Sequence, residues 1–119
     1  MRYLKHLVLI SCLLAYQTSF GHAVVTHNSL KLNPVPVNQA SEVALSFNSK
    51  VELDLSEVFL VSVGDVMQPI QATLGETAGQ VTLHLPALAP GEYAIKLKIF
   101  AADGHLSEDL LRFFVKQPK

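Results

Sequence analysis

Tyr93-Ala94-Ile95-Lys96-Leu97-Lys98-Ile99-Phe100 decides the fold. Tyr93, Ile95, Leu97 and Ile99 alternate with Ala94, Lys96, Lys98 and Phe100, which is the period of a strand with one buried face. Asp103-Gly104 follows as a turn signal. Then Leu111, Phe113 and Val115 alternate with Arg112, Phe114 and Lys116, completing a hairpin. Working towards the N-terminus, the same period of two recurs. Val81, Leu83 and Leu85 alternate with Thr82, His84 and Pro86; Phe59, Val61 and Val63 with Leu60 and Ser62; Val43, Leu45 and Phe47 with Ala44 and Ser46. Asn33-Pro34, Gly64-Asp65, Gly75 to Gly79 and Pro90-Gly91 punctuate these runs. Short strands at such spacing predict an all-β fold: an immunoglobulin-like antiparallel β-sandwich, or small Greek-key barrel, of about seven strands. After Gly21 no segment has a helical period, although Leu53 to Val58 has room for one turn.

Residues 1–21 read as a secretory signal peptide. Arg2, Lys5 and His6 form a basic start, Leu7 to Tyr16 is mostly apolar, and Gln17 to Gly21 turns small and polar, with Ser19 and Gly21 at −3 and −1 of a cut before His22. The apolar run falls short of the ~20 residues that span a bilayer. Leu9-Ile10-Ser11-Cys12 offers a competing lipoprotein processing site, which would leave no free amine on His22. Cleavage after Gly21 makes residues 22–119 the single mature domain. Removing 21 of the 119 residues leaves 98; of nine Lys/Arg, Arg2 and Lys5 go and seven stay against ten Asp/Glu, a formal charge of −3. That balance is no footprint for nucleic acid. The sole cysteine, Cys12, leaves with the signal, so the domain rests on its hydrophobic core. About 100 residues suffice for one such core.

An N-terminal His22 would offer an α-amine and an imidazole from one residue. Asp103-Gly104-His105 offers a carboxylate and a second imidazole, with Gly104 letting the loop turn so that both side chains point the same way. Nitrogen donors with one carboxylate oxygen suit tetragonal Cu(II). A first strand beginning at His22 and lying beside the strand that ends near Phe100 would bring the two together. Each residue also has a plainer reading: a frayed terminus for His22, an ordinary hairpin turn for Asp103-Gly104, and a solvated neighbour for His105. His27 is close in sequence without a fixed face. His84 falls on the polar face of its strand, Tyr93 reads as a core or corner tyrosine, and Lys96 and Lys98 keep one strand face soluble. Pro34 and Pro36 read as ending the first strand.

Leu88-Ala89-Pro90-Gly91-Glu92-Tyr93, Ile95, Ala102-Asp103-Gly104-His105 and Phe113-Phe114-Val115, with His22-Ala23 as mature start, resemble the CopC family, which includes the YobA group. The resemblance implies metal ligands at His22, Asp103 and His105. It also implies a periplasmic, non-enzymatic, monomeric copper carrier or buffer in homeostasis or resistance, with an inner-membrane transport protein of the CopD type as partner. The chain departs from the family pattern at Leu97, where tryptophan is frequent, at Ala101 for serine, at Leu106 for proline and at Asp109 for glycine. No acidic residue carries over in Phe47-Asn48-Ser49-Lys50, and Met67 alone does not make a thioether site for Cu(I). Two other classes stay open. One is a copper oxidase resembling the lytic polysaccharide monooxygenases, for which the chain has no tryptophan and few exposed-aromatic candidates. The other is a metal-free immunoglobulin-like interaction module.

Overall fold

The computed structural model describes residues 23–117. The signal segment, its bilayer-spanning and lipidated alternatives, and the His22 donor pair lie outside the described residues. Eight strands follow one another: β1 (Val25–Asn28), β2 (Ser41–Phe47), β3 (Glu57–Ser62), β4 (Val66–Pro69), β5 (Gln71–Leu74), β6 (Gln80–Leu85), β7 (Gly91–Phe100) and β8 (Leu106–Val115). They form two four-stranded sheets, ordered β1-β2-β6-β5 and β4-β3-β7-β8, with every pairing antiparallel. This is the expected sandwich with eight strands instead of about seven. The short β4 and β5 are almost wholly exposed, so no apolar period announces them. A single 3-10 turn, Leu53–Leu55, occupies the stretch with room for one.

The core lies between the sheets. Val43, Leu45 and Phe47 of β2 and Val81, Leu83 and Leu85 of β6 face Ile95, Leu97 and Ile99 of β7 and Phe113 and Val115 of β8. Each such side chain contributes roughly 1.5–3 kcal/mol by leaving water. Leu97, only 1% exposed, fills part of the space in this core. In β3 the inward face is Val58 and Leu60, while Phe59 and Val61 are half-buried and Val63 is 79% exposed, the reverse of the expected phase. Val58 to Val61 is apolar on both phases, so the choice falls to register: Leu60 pairs with the buried Ile95 and Val58 with the buried Leu97.

Two further expectations are corrected. The first strand does not lie beside β7; β1 pairs with β2 in the opposite sheet, with Val25 opposite Phe47. Nor do the prolines end it. β1 stops at Asn28, whose Oδ1 accepts from Leu30 N–H, and Asn33 N–H donates to Ser29 O in the following turn. Pro34 and Pro36 instead flank the buried Val35.

β8 is an outer strand ten residues long. Near its midpoint Leu110 N–H donates to Asp109 Oδ1 at 2.8 Å, so a side chain occupies one backbone group of the strand.

Candidate metal centre

β7 and β8 pair from Gly91↔Val115 to Phe100↔Leu106, so their five connecting residues form the tip of a long hairpin. The tip is held by Gly104 N–H donating to Ala101 O and Ala101 N–H donating to His105 O, both at 2.9 Å. Gly104 has φ +90°, a conformation that glycine adopts without the penalty of a side chain. Asp103 Oδ1 accepts from His105 N–H at 3.1 Å, and its Oδ2 lies 3.1 Å from His105 Nδ1. The structure therefore brings Asp103 and His105 together, both partly exposed. The His105 backbone N–H, against the opposing effect of desolvation and with help from the His105 imidazole, holds the Asp103 carboxyl below its ordinary value.

This arrangement has definite chemical capacity. A carboxylate has about four lone-pair sites, so contact with His105 does not exhaust Asp103 as a donor. His105 Nδ1 is turned to Asp103, and that contact fixes the direction of the imidazole, as carboxylates do for metal-binding histidines. Among the described residues, Asp103 and His105 gather no third His, Cys, Asp or Glu.

The segment after β2 links this tip to the start of the described chain. Val24 N–H donates to Asn48 Oδ1 at 2.8 Å, and Asn48 N–H donates to Val24 O at 3.1 Å. Two residues on, Lys50 O accepts from Ala102 N–H at 2.9 Å, and Val51 bridges Ala101. Ala23, the residue after His22, is buried in the core. Sequence reasoning met Asn48 only in Phe47-Asn48-Ser49-Lys50; its bond to the distant Val24 leaves no local pattern to find.

The other singled-out residues stand apart. His27 is exposed on β1 opposite Ser46, which is separated from Lys50 by the end of β2 and the residues after it. His84, on the outer face, meets Thr73 Oγ1 at 3.0 Å and Glu42 at 3.6 Å. The Tyr93 hydroxyl donates to Ala89 O at 2.8 Å, and its ring stacks on Phe113, so it is a corner tyrosine. Lys98 lies between Glu57 and Glu108 on the outer face. Met67 pairs with Val61, and Val61 pairs with Ala94. Ala94 stands near the start of β7, whose far end, Phe100, leads into the hairpin tip. Most of the length of β7 therefore separates Met67 from that tip.

Fold and site together define a class: an eight-stranded β-sandwich with a joined carboxylate and imidazole on the turn of its longest hairpin. Residues 26–116 match the model of the CopC domain, and the chain belongs to the CopC family. Among solved structures, CopC from Methylosinus trichosporium OB3b is 23% identical with a TM-score of 0.67, covering 82% of this chain and 97% of that one. PcoC from Escherichia coli, described as a methionine-rich copper resistance protein, is 18% identical with a TM-score of 0.58, covering 80% and 99%. These likenesses are of fold. No curated protein matches the chain.

Proposed function

We propose that this chain is a periplasmic copper-binding protein that holds one Cu(II). The ligands are the amine and imidazole of His22, freed by cleavage after Gly21, with Asp103 and His105. Its role is that of a non-enzymatic, monomeric copper carrier or buffer in homeostasis or resistance, and its destination an inner-membrane transport protein of the CopD type. The observation that carries this reading is the link through residues 48–51. Val24, two residues after His22, and Ala102, one residue before Asp103, are hydrogen-bonded to the same short segment. Two residues of extended chain span at most about 7 Å. Membership of the CopC family supports copper as the metal, and nitrogen with one oxygen suits Cu(II) better than Cu(I).

The test is mass spectrometry of the exported protein with one equivalent of Cu(II), followed by competition titrations. The expected mature chain begins at His22 and binds one ion. His22→Ala, His105→Ala and Asp103→Ala should each weaken binding, and His84→Ala should leave it nearly unchanged. A lipidated Cys12, or full affinity in His105→Ala, would overturn the proposed site.

A further inference from the structure

We propose that Asn48 is a positioning residue for the copper site, pinning Val24 on both sides and so setting the approach of the chain start to the Asp103-Gly104-His105 turn. This rests on the ligand set proposed above. Asn48 engages both backbone polar groups of Val24: its Oδ1 receives the Val24 N–H at 2.8 Å, and its own N–H donates to Val24 O at 3.1 Å. Because the partner is an N–H donor, the carboxamide must present its oxygen there. The clamp sits where regular pairing is weakest, since the β1–β2 register shifts between Val25 and His27. A strand end next to a bulge frays unless something holds it. Here Asn48 holds it, through its exposed side chain and its own backbone N–H.

Asn48 is also built into a rigid frame. Phe47 N–H donates to Gly79 O at 2.8 Å, tying the segment to the turn before β6. On the other side, Lys50 and Val51 join Ala102 and Ala101. The same short stretch thus sets the separation of Val24 from the Asp103-Gly104-His105 turn. Multidentate binding depends on that separation, because donors held in place meet the metal at a high effective concentration. Loosening Val24 leaves every ligand present while lowering the fraction of time in which the first residue is in position.

The test uses the mature exported protein and Cu(II) competition titration. Asn48→Ala should weaken Cu(II) roughly three- to tenfold, the size expected for one net hydrogen bond. Asn48→Asp keeps an oxygen acceptor and should restore affinity to within about twofold on the same grounds. In a His22→Ala background, Asn48→Ala should have a smaller effect, because only the N-terminal amine is left to position. Asn48→Leu, which keeps volume without the oxygen, repeats the measurement should the alanine variant fold poorly. In the metal-free protein, exchange of the Val24 amide with solvent should quicken in Asn48→Ala. Unchanged affinity in Asn48→Ala, or equal weakening with and without His22, would overturn the positioning role. An unchanged Val24 exchange rate would overturn the clamp itself. If His22→Ala alone leaves affinity intact, the proposed ligand set fails and the positioning role with it, while Val24 exchange still reports on the clamp.

Discussion

Replacing Gly79 by alanine should damage the fold far more than the same change at Gly104, although both glycines sit at nearly the same left-handed angle. Gly79 has φ +84° and Gly104 φ +90°. A Cβ at Gly104 would meet nothing within 4 Å. A Cβ at Gly79 would lie 2.7 Å from Phe47 O and 3.2 Å from Ser49 O, both backbone atoms. At Gly104 alanine meets only the conformational penalty, about 1–2 kcal/mol. At Gly79 the same penalty is joined by displacement of the Phe47–Ser49 backbone, an overpacking effect of about 1–3 kcal/mol. The sum is about 2–5 kcal/mol, and each kcal/mol lowers the melting temperature of a domain this size by about 4–8 °C. Gly79→Ala should therefore melt about 8–40 °C below the parent and Gly104→Ala only about 4–16 °C below. The assay is thermal unfolding followed by far-ultraviolet circular dichroism, with chelator present so that bound metal does not contribute. If Gly79→Ala melts no lower than Gly104→Ala, the close approach of the Gly79 turn to the segment after β2 is wrong.

Tyr93→Phe should lose only the hydrogen bond to Ala89 O. One such bond is worth about 1 kcal/mol net. Leu97→Ala should cost more, about 2–5 kcal/mol, by leaving a cavity in the core; urea unfolding of the two variants would contradict this if their order were reversed. The depressed Asp103 carboxyl should titrate below the ordinary value of about 3.9 in a carbon-13 chemical-shift titration of the metal-free protein. Its ionised form stabilises the fold fully above the unfolded-state value, and that contribution is lost as pH falls through the lower folded-state midpoint. A midpoint at or above the ordinary value would show that the His105 N–H bond is not maintained in solution.

What was legible in the sequence follows from what each pattern encodes. In β2, β6 and β7, polar and small residues separate the apolar ones, so the buried phase is readable from composition alone. β3 has apolar residues on both phases, and only its pairing with Ile95 and Leu97 selects Val58 and Leu60 for the interior. β4 and β5 leave nearly all their side chains exposed and carry no apolar period. The turn at Asp103-Gly104-His105 is legible because its chemistry lies within three consecutive residues. The partner of the first strand is not, since alternation reports a face and never a neighbour. For the same reason the pairing of Val24 with Asn48, and of Lys50 with Ala102, could come only from the assembled sheets.

The fold-back of Asp109 onto Leu110 has a consequence for many molecules in solution. An outer strand ten residues long exposes a row of backbone groups that can template another strand. Here one N–H near the middle of that row already has an acceptor, and Glu108 and Asp109 place two carboxylates beside it. Two copies aligning antiparallel through the middle of β8 would have to expel Asp109 from its bond with Leu110 N–H, which is unfavourable. Fibrillar growth along this edge therefore meets its obstacle at the strand centre, where pairing would otherwise be longest.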